Sequence, residues 1–331
     1  MAWFKSLFSS SSSTTDQGVV IPNKKGLIPD LANKPIFITG CDSGFGHRLA
    51  LTLNAMGVPV YAGVLSEKSE GAEALGAHGC KIVKIDITKE KDVEKAVKFV
   101  AKDLGEKKLH ALMNNAGIAE VGQVEWCDIS VYSKVLQVNT LGTVRVTQAF
   151  LPLIRSTKGS RIVFTASVAG RYTLPGFSAY SMSKHALISF ADALRKEMKP
   201  FKVSVHTIQP TAYTTALCSA ETIDSSMQKK WDGVDQEIKE SYGESYFQAF
   251  KAMYLKGVNE FSRKNINEVV EEMIHALLGK NPKITYIPTS SIKFRVNLLT
   301  MISTASQDKI LCKRAIPSNV FPASLTNKID V

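Results

Sequence analysis

Hydrophobic residues along this chain fall into two repeating patterns. Short unbroken apolar runs occur in "KPIFITG" (34–40), "VPVYAGV" (58–64), "KIVKIDI" (81–87), "LHALMNNAG" (109–117), "SRIVFTAS" (160–167), "KVSVHTIQP" (202–210) and "KITYIP" (283–288). Each is the length of a buried strand, and the first ends at a glycine, as a buried strand should. Between them lie stretches with apolar residues three and four apart, which predict helices at 45–56, 70–76, 91–104 and 131–154, then around Tyr180, and at 265–278. Alternation of this kind implies an α/β fold, a doubly wound parallel sheet covered by helices on both faces. The polar helical region near 225–255 breaks the alternation, so about 211–264 reads as an insertion over one end of the sheet. No repeat or Pro/Gly-rich linker appears, and the expected organisation is a flexible tail at 1–33, one domain at 34–290 and a basic amphipathic extension at 291–331.

The chain has 331 residues, 44% of them hydrophobic, which suits one large soluble domain. Its five cysteines are scattered without CxxC or metal-ligand spacing, so no metal site is expected and a reducing intracellular compartment is. The net charge of +11 comes from basic residues spread along the chain, with no basic stripe interleaved with aromatics, and nucleic acid is excluded as the expected partner. Such charge also suits anionic cofactors and membrane surfaces. The N-terminus "MAWFKSLFSSSSSTTDQG" is too polar for a secretory signal and, lacking arginine, a poor mitochondrial presequence; a disordered tail is its plain reading.

Ligands of such sheets bind where the strands end, which makes the strand ends the place to look for chemistry. The first strand runs into "TGCDSGFG", with Gly40, Gly44 and Gly46 ahead of a helix whose N-terminal amides suit a pyrophosphate. The fourth ends in "NNAG" (Asn114–Gly117), the next helix carries Asn139, the fifth strand ends at Ser167, and "YSMSK" places Tyr180 and Lys184 on one helix face. Taken singly, each has an ordinary explanation as a turn, a cap or a surface pair.

In this order and spacing they resemble the short-chain dehydrogenase/reductase family, which implies a Rossmann-type fold over about Pro35 to Pro288. The resemblance implies Tyr180 as general acid/base, Lys184 as the cation that lowers its pKa and holds the nicotinamide ribose, Ser167 as the group polarising the substrate oxygen, and Asn139 as the holder of a relay water. It assigns cofactor contacts to Gly40, Asp42, Ser43, Gly44, Phe45, Gly46, Asp86, Asn115, Ala116, Gly117, Tyr180, Lys184, Pro210 and Thr215. The usual Pro-Gly is Pro210-Thr211 here, and a β-branched residue resists a positive φ, which leaves the geometry of that loop open.

For the ribose hydroxyls a carboxylate at the end of strand two is expected, but Gly63 stands there, and Glu67 and Lys68 argue opposite ways. Asp42 would repel a 2′-phosphate, so NAD is favoured, with NADP as the alternative. Segments such as "AGVLSE", "GQVEW" and "ESYGESYF" are similar to the subgroup of retinol dehydrogenases, 17β-hydroxysteroid dehydrogenases of the retinol type and D-β-hydroxybutyrate dehydrogenase. The expected substrate is a lipophilic secondary or allylic alcohol, with the insertion's Tyr213, Trp231, Tyr242, Tyr246, Phe247, Phe250 and Tyr254 near the pocket. Arg171 and Lys251 keep D-β-hydroxybutyrate as an alternative, and a non-enzymatic NAD(P)-sensing protein is the reading from another class. The resemblance also implies a homo-oligomer. The stretch 291–316 is too interrupted to span a bilayer, and its basic bias suggests peripheral contact with a membrane such as the endoplasmic reticulum surface or a mitochondrial one.

Overall fold

The computed structural model describes residues 25–215, 219–315, 317 and 320–326, with the backbone of 13–14 and 20–21. Its centre is a seven-stranded sheet made of β1 (Ile36–Thr39), β2 (Val60–Val64), β3 (Lys81–Lys84), β4 (Ala111–Asn114), β5 (Arg161–Thr165), β6 (Ser204–Ile208) and β7 (Thr285–Tyr286). Every pairing is parallel and the order is β3-β2-β1-β4-β5-β6-β7. β1, β2, β4 and β5 are buried on both faces because each face is covered, whereas the edge strand β3 exposes Lys81 and Lys84. Ile36 and Ile38 turn to the layer formed by α1 (Gly44–Ala55), α2 (Glu70–Ala77) and α10 (Asn267–Leu278). Phe37 turns to α3 (Glu90–Leu104), α5 (Thr143–Arg155) and α6 (Ser178–Glu197). The seven predicted strands and their crossover helices are all present.

The order of winding reverses between β1 and β4, and the loops leaving these two strands diverge to open a crevice at their carboxyl ends. The expected insertion forms α7 (Ala220–Asp232), α8 (Gln236–Tyr242) and α9 (Glu244–Phe261), and the extension forms α11 (Ser290–Met301), α12 (Thr304–Ala315) and α13 (Ala323–Thr326).

Three expectations change. The long helix at 131–154 is α4 (Ile129–Leu136) and α5 joined through a π turn at Gln137–Gly142. The last part of the predicted tail is packed: Leu27 bridges Gly279, the Ile28 amide donates to Leu278 O at 2.7 Å, and both side chains rest on the core. Apart from the antiparallel backbone pair of Ser13–Thr14 with Val20–Ile21, the first part of the tail lies outside the described residues, as does Cys218. Thr211 is not among the non-glycine residues with positive φ, which are Asp30, Lys202 and Thr289, so its loop carries no left-handed strain among the described residues.

The sheet's other end is fixed by buried polar groups. Arg161 donates to the Ala276 and Gly279 carbonyls at 2.9 and 2.6 Å, His110 Nε2 to Leu277 O at 3.1 Å and His206 Nδ1 to Lys283 O at 2.6 Å. The Arg161 and His110 bonds satisfy open carbonyls at the end of α10, and the His206 bond holds the segment that leads into β7. Burial pulls both His110 and His206 down to about 4. Above the usual value near 6.5 both are neutral folded or unfolded; as pH falls from 6.5 towards 4 only the unfolded chain takes up the protons. Stability should therefore drop by about 1.4 kcal/mol per pH unit for each histidine in that window. Urea unfolding at pH 7, 6 and 5 checks this, with a shallower slope expected in His206→Gln.

Candidate active site

The crevice is a cavity of about 330 Å³ at the carboxyl ends of β1 to β6. Its floor begins with the loop after β1. Gly40 has φ +71°, and a β-carbon there would lie 2.7 Å from the Ala116 Cα, so only glycine lets the first and fourth strand ends approach this closely. Thr39 Oγ1 accepts from the Asn115 and Ala116 amides, both at 3.0 Å. Asn115 Nδ2 donates to Thr39 O and Gly40 O, both at 3.1 Å, while its Oδ1 accepts from Thr165 Oγ1 at 3.1 Å. One asparagine thus ties three strand ends together. The side chain of Ser43 does not cap α1, which leaves the first-turn amides for a ligand.

All fourteen residues expected at the cofactor line this cavity except Gly46, which lies beneath it, where a β-carbon would collide with the Gly40 carbonyl. Asp86 sits at the end of the β3 segment. Burial alone would raise its carboxyl, but bonds from Thr88 N and Oγ1 at 3.0 and 2.6 Å, with Lys89 nearby, bring it below the usual range. Asp42 accepts from Leu65 N at 2.9 Å, Ser66 N at 3.3 Å and Ser69 Oγ at 3.3 Å. Its carboxylate is therefore carried to the end of β2. A β-carbon on Gly63 would come within 2.8 Å of Ile38 O, so that strand itself leaves no room for a side chain.

Ser167, Tyr180 and Lys184 line the same cavity. Ser167 Oγ accepts from Ala169 N at 3.1 Å, capping a short 3₁₀ turn, and donates to Pro210 O at 3.3 Å. Lys184 is buried, its Nζ 5.6 Å from the centroid of the Tyr180 ring, and donates to Thr165 O at 2.8 Å. Burial pulls its pKa down to about 8.

Asn139 is buried in the π turn, not exposed on a helix. Its Oδ1 accepts from Ile118 N at 2.8 Å, and its Nδ2 donates to Ile118 O at 2.8 Å and Ser183 Oγ at 3.0 Å. Ser183 and Thr165 were not singled out by sequence; nothing in their neighbourhood marks them until the helix and strand are in place. Between Asn139 and Lys184, Gly117 leaves room: a β-carbon there would lie 3.3 Å from Asn139 Oδ1 and 3.6 Å from Lys184 Nζ.

The expected aromatic wall is mostly a core of its own. Trp126 makes edge contacts with Trp231, Tyr242, Tyr246, Phe247 and Phe250 at 5.2 to 6.4 Å between centroids. Tyr213 is buried against Phe45. Tyr213 also lines the cavity itself, and of the helices of the insertion Tyr254 continues towards the site: it meets Phe177 at 5.4 Å, Phe177 meets Tyr180 at 6.0 Å, and the Tyr254 hydroxyl donates to Pro175 O. Lys251 is spent inside the insertion, on Gln228 at 2.8 Å and Asp224 at 3.2 Å. Arg171 lines a different, open groove along α6 beside His185 and Asp192.

The arrangement has clear likenesses among known proteins. The profile described as short chain dehydrogenase matches residues 34–225. The chain is 39% identical over 290 residues to the 3beta-hydroxysteroid dehydrogenase dhs-16 of Caenorhabditis elegans, covering 85% of this chain and 74% of that one. It is 36% identical over 275 residues to Retinol dehydrogenase 16 of Rattus norvegicus, covering 82% and 85%. A solved short chain dehydrogenase/reductase from Burkholderia phymatum, in complex with NAD, superposes with a TM-score of 0.68 at 21% identity, over 88% of this chain and 99% of that one.

Proposed function

The chain belongs to the short-chain dehydrogenase family, and from that premise we propose that this NAD(P)-dependent oxidoreductase acts on a lipophilic secondary or allylic alcohol of the steroid or retinoid kind. The observation that carries this reading is the convergence of Tyr180, Lys184 and Ser167 with the glycine loop on one cavity, beside which an aromatic path leads from Tyr180 through Phe177 to Tyr254. An apolar ring system packs against such a path, whereas a small acid needs a cation. The two candidate cations for D-β-hydroxybutyrate, Arg171 and Lys251, belong to another groove and to the insertion's own ion pairs. A purely sensing protein has no use for a tyrosine, lysine and serine gathered in this way.

The glycine loop, the α1 amides and the Asn115 tie suit a dinucleotide pyrophosphate. A nicotinamide held there would supply hydride transfer at the carbon bearing the oxygen. Tyr180 exchanges the accompanying proton with that oxygen, and Ser167 trades its 3.3 Å bond to Pro210 O for one to the substrate. Lys184 favours the phenolate by its charge. Asn139, its amide held by Ile118 and Ser183, and Lys184 share the room over Gly117, where a water contacting both passes the proton onward.

Asp42 gives the reading its cofactor preference, because its charge at the end of β2 opposes a 2′-phosphate. The test is absorbance at about 340 nm with NAD or NADP offered beside retinol, androstanediol and 3-hydroxybutyrate. NAD with retinol or the steroid diol should give the higher kcat/KM, and Asp42→Asn should narrow the NAD/NADP ratio about tenfold. Turnover confined to 3-hydroxybutyrate would refute the lipophilic reading. Cys41, Cys80, Cys127 and Cys312 are free thiols, which fits a reducing intracellular compartment. A substrate that partitions into lipid makes peripheral membrane contact through the C-terminal extension part of the same proposal, as is assembly into a homo-oligomer. No helix among the described residues is long and apolar enough to cross a membrane.

A further inference from the structure

Helix α11 (Ser290–Met301) is apolar on two opposite sides. With 3.6 residues to the turn, and Phe294 taken as the reference, Leu298 and Met301 fall about 40° and 20° to either side of it. All three face solvent, at 69%, 53% and 84% exposure. Ile292 and Val296 lie about 160° away in one sense and the other, and form the side that packs on Val168, Tyr172 and Ile287. Lys293 and Arg295 sit about 100° to the left and right of Phe294, between the two apolar sides; both are exposed. The buried side accounts for the helix being there at all. It leaves the outward side, with its three large apolar side chains, unexplained.

We infer that this outward face of α11 is a docking surface for an anionic lipid bilayer. An apolar stripe with a cation on each flank is the arrangement in which the stripe enters the acyl boundary while the lysine and arginine reach back to the headgroup phosphates. The helix sequence SSIKFRVNLLTM contains no acidic residue. Self-pairing of two copies about a two-fold axis would therefore set Lys293 and Arg295 of one against those of the other with no counter-charge on the helix, which disfavours a second copy as the occupant. A lipid surface supplies that counter-charge. The inner side of α11 also touches Val168, the residue after Ser167. Docking through the outer side thus holds the turn beside the catalytic cavity about one helix diameter from the bilayer, where an alcohol of the class proposed above is dissolved. In this respect the inference rests on that reading.

The test uses full-length protein sedimented with phosphatidylcholine vesicles with or without phosphatidylserine, at low and high salt. Truncation before α11 is a poor probe, since it would strip Val296 from Val168 and Ile287. Two double variants, Phe294→Ser with Leu298→Ser and Lys293→Gln with Arg295→Gln, change only exposed side chains, and thermal unfolding at the wild-type temperature verifies that they are folded. The wild type should sediment with the phosphatidylserine vesicles and lose binding at high salt. The apolar variant should partition at least about tenfold less, and the charge variant about tenfold less and without salt dependence. Wild-type protein that stays in the supernatant, variants that partition like it, or an apolar variant that turns a dimer into a monomer without altering partition would each overturn the inference. Vesicle binding in a protein that oxidises no alcohol would leave the lipid surface standing and remove the substrate reading instead.

Discussion

Tyr180→Phe should lower turnover by about 10² to 10⁴-fold, the range associated with general acid–base catalysis, while leaving the fold and cofactor affinity in place. The substitution keeps the ring that packs against Phe177 and lies 5.6 Å from Lys184 Nζ. Lys184 donates to Thr165 O, a contact that does not depend on the tyrosine hydroxyl. The phosphate-facing floor, from Gly40 to the Asn115 tie, is built from other residues altogether. Steady-state kinetics with the best alcohol of the absorbance screen, and cofactor titration by fluorescence, separate the two effects. A folded Tyr180→Phe enzyme with near-normal turnover would mean that a different group moves the proton.

Lys184→Met should be almost as damaging, by a route that the pH profile reveals. The side chain is buried and carries its ammonium to the cavity floor, and burial pulls it down to about 8. Below that value the charged form favours the phenolate; above it the charge is lost. Methionine fills similar volume without charge, so the tyrosine loses the cation that favours its phenolate. The alkaline rise of alcohol oxidation should therefore move to higher pH, and turnover at neutral pH should fall by about 10² or more. Lys184→Arg should recover part of it, since the charge returns on a differently shaped head group. An unshifted pH–rate profile in the methionine variant would assign the base to another residue.

The sheet was legible because its inner strands are buried on both faces and read as apolar runs. The site was legible because strand ends converge whatever the intervening sequence: Gly40, Asn115, Ser167 and Tyr180 are far apart in the chain and share one cavity. Other features carry no periodic signal. The π turn that buries Asn139 is one extra residue in a helix, and apolar spacing around it looks continuous. Asp42 reads as a loop residue, since nothing local shows that the 65–69 turn folds around its carboxylate and brings it to β2. The two apolar sides of α11 cancel any single amphipathic direction, so the sequence suggested a basic amphipathic segment without showing which side faced out. The packing of Leu27 and Ile28 depends on backbone partners at 278–279, some 250 residues later, far beyond any local pattern.

Trp126 gives the molecule a socket. The helices of the insertion gather their rings around this one indole, with supporting bonds from Lys230 Nζ to Glu120 at 2.7 Å and from Gln123 Nε2 to the Tyr246 hydroxyl at 3.0 Å. The catalytic floor is stitched together separately, by Thr39, Asn115 and Thr165. Two nuclei that share few contacts tolerate change independently. Substitutions that reshape the insertion can accumulate without disturbing the proton-handling residues, provided that Trp126 and its seat are kept and Tyr254 stays on Phe177. Substrate range in this chain is thus free to drift on an evolutionary timescale that the chemistry does not share.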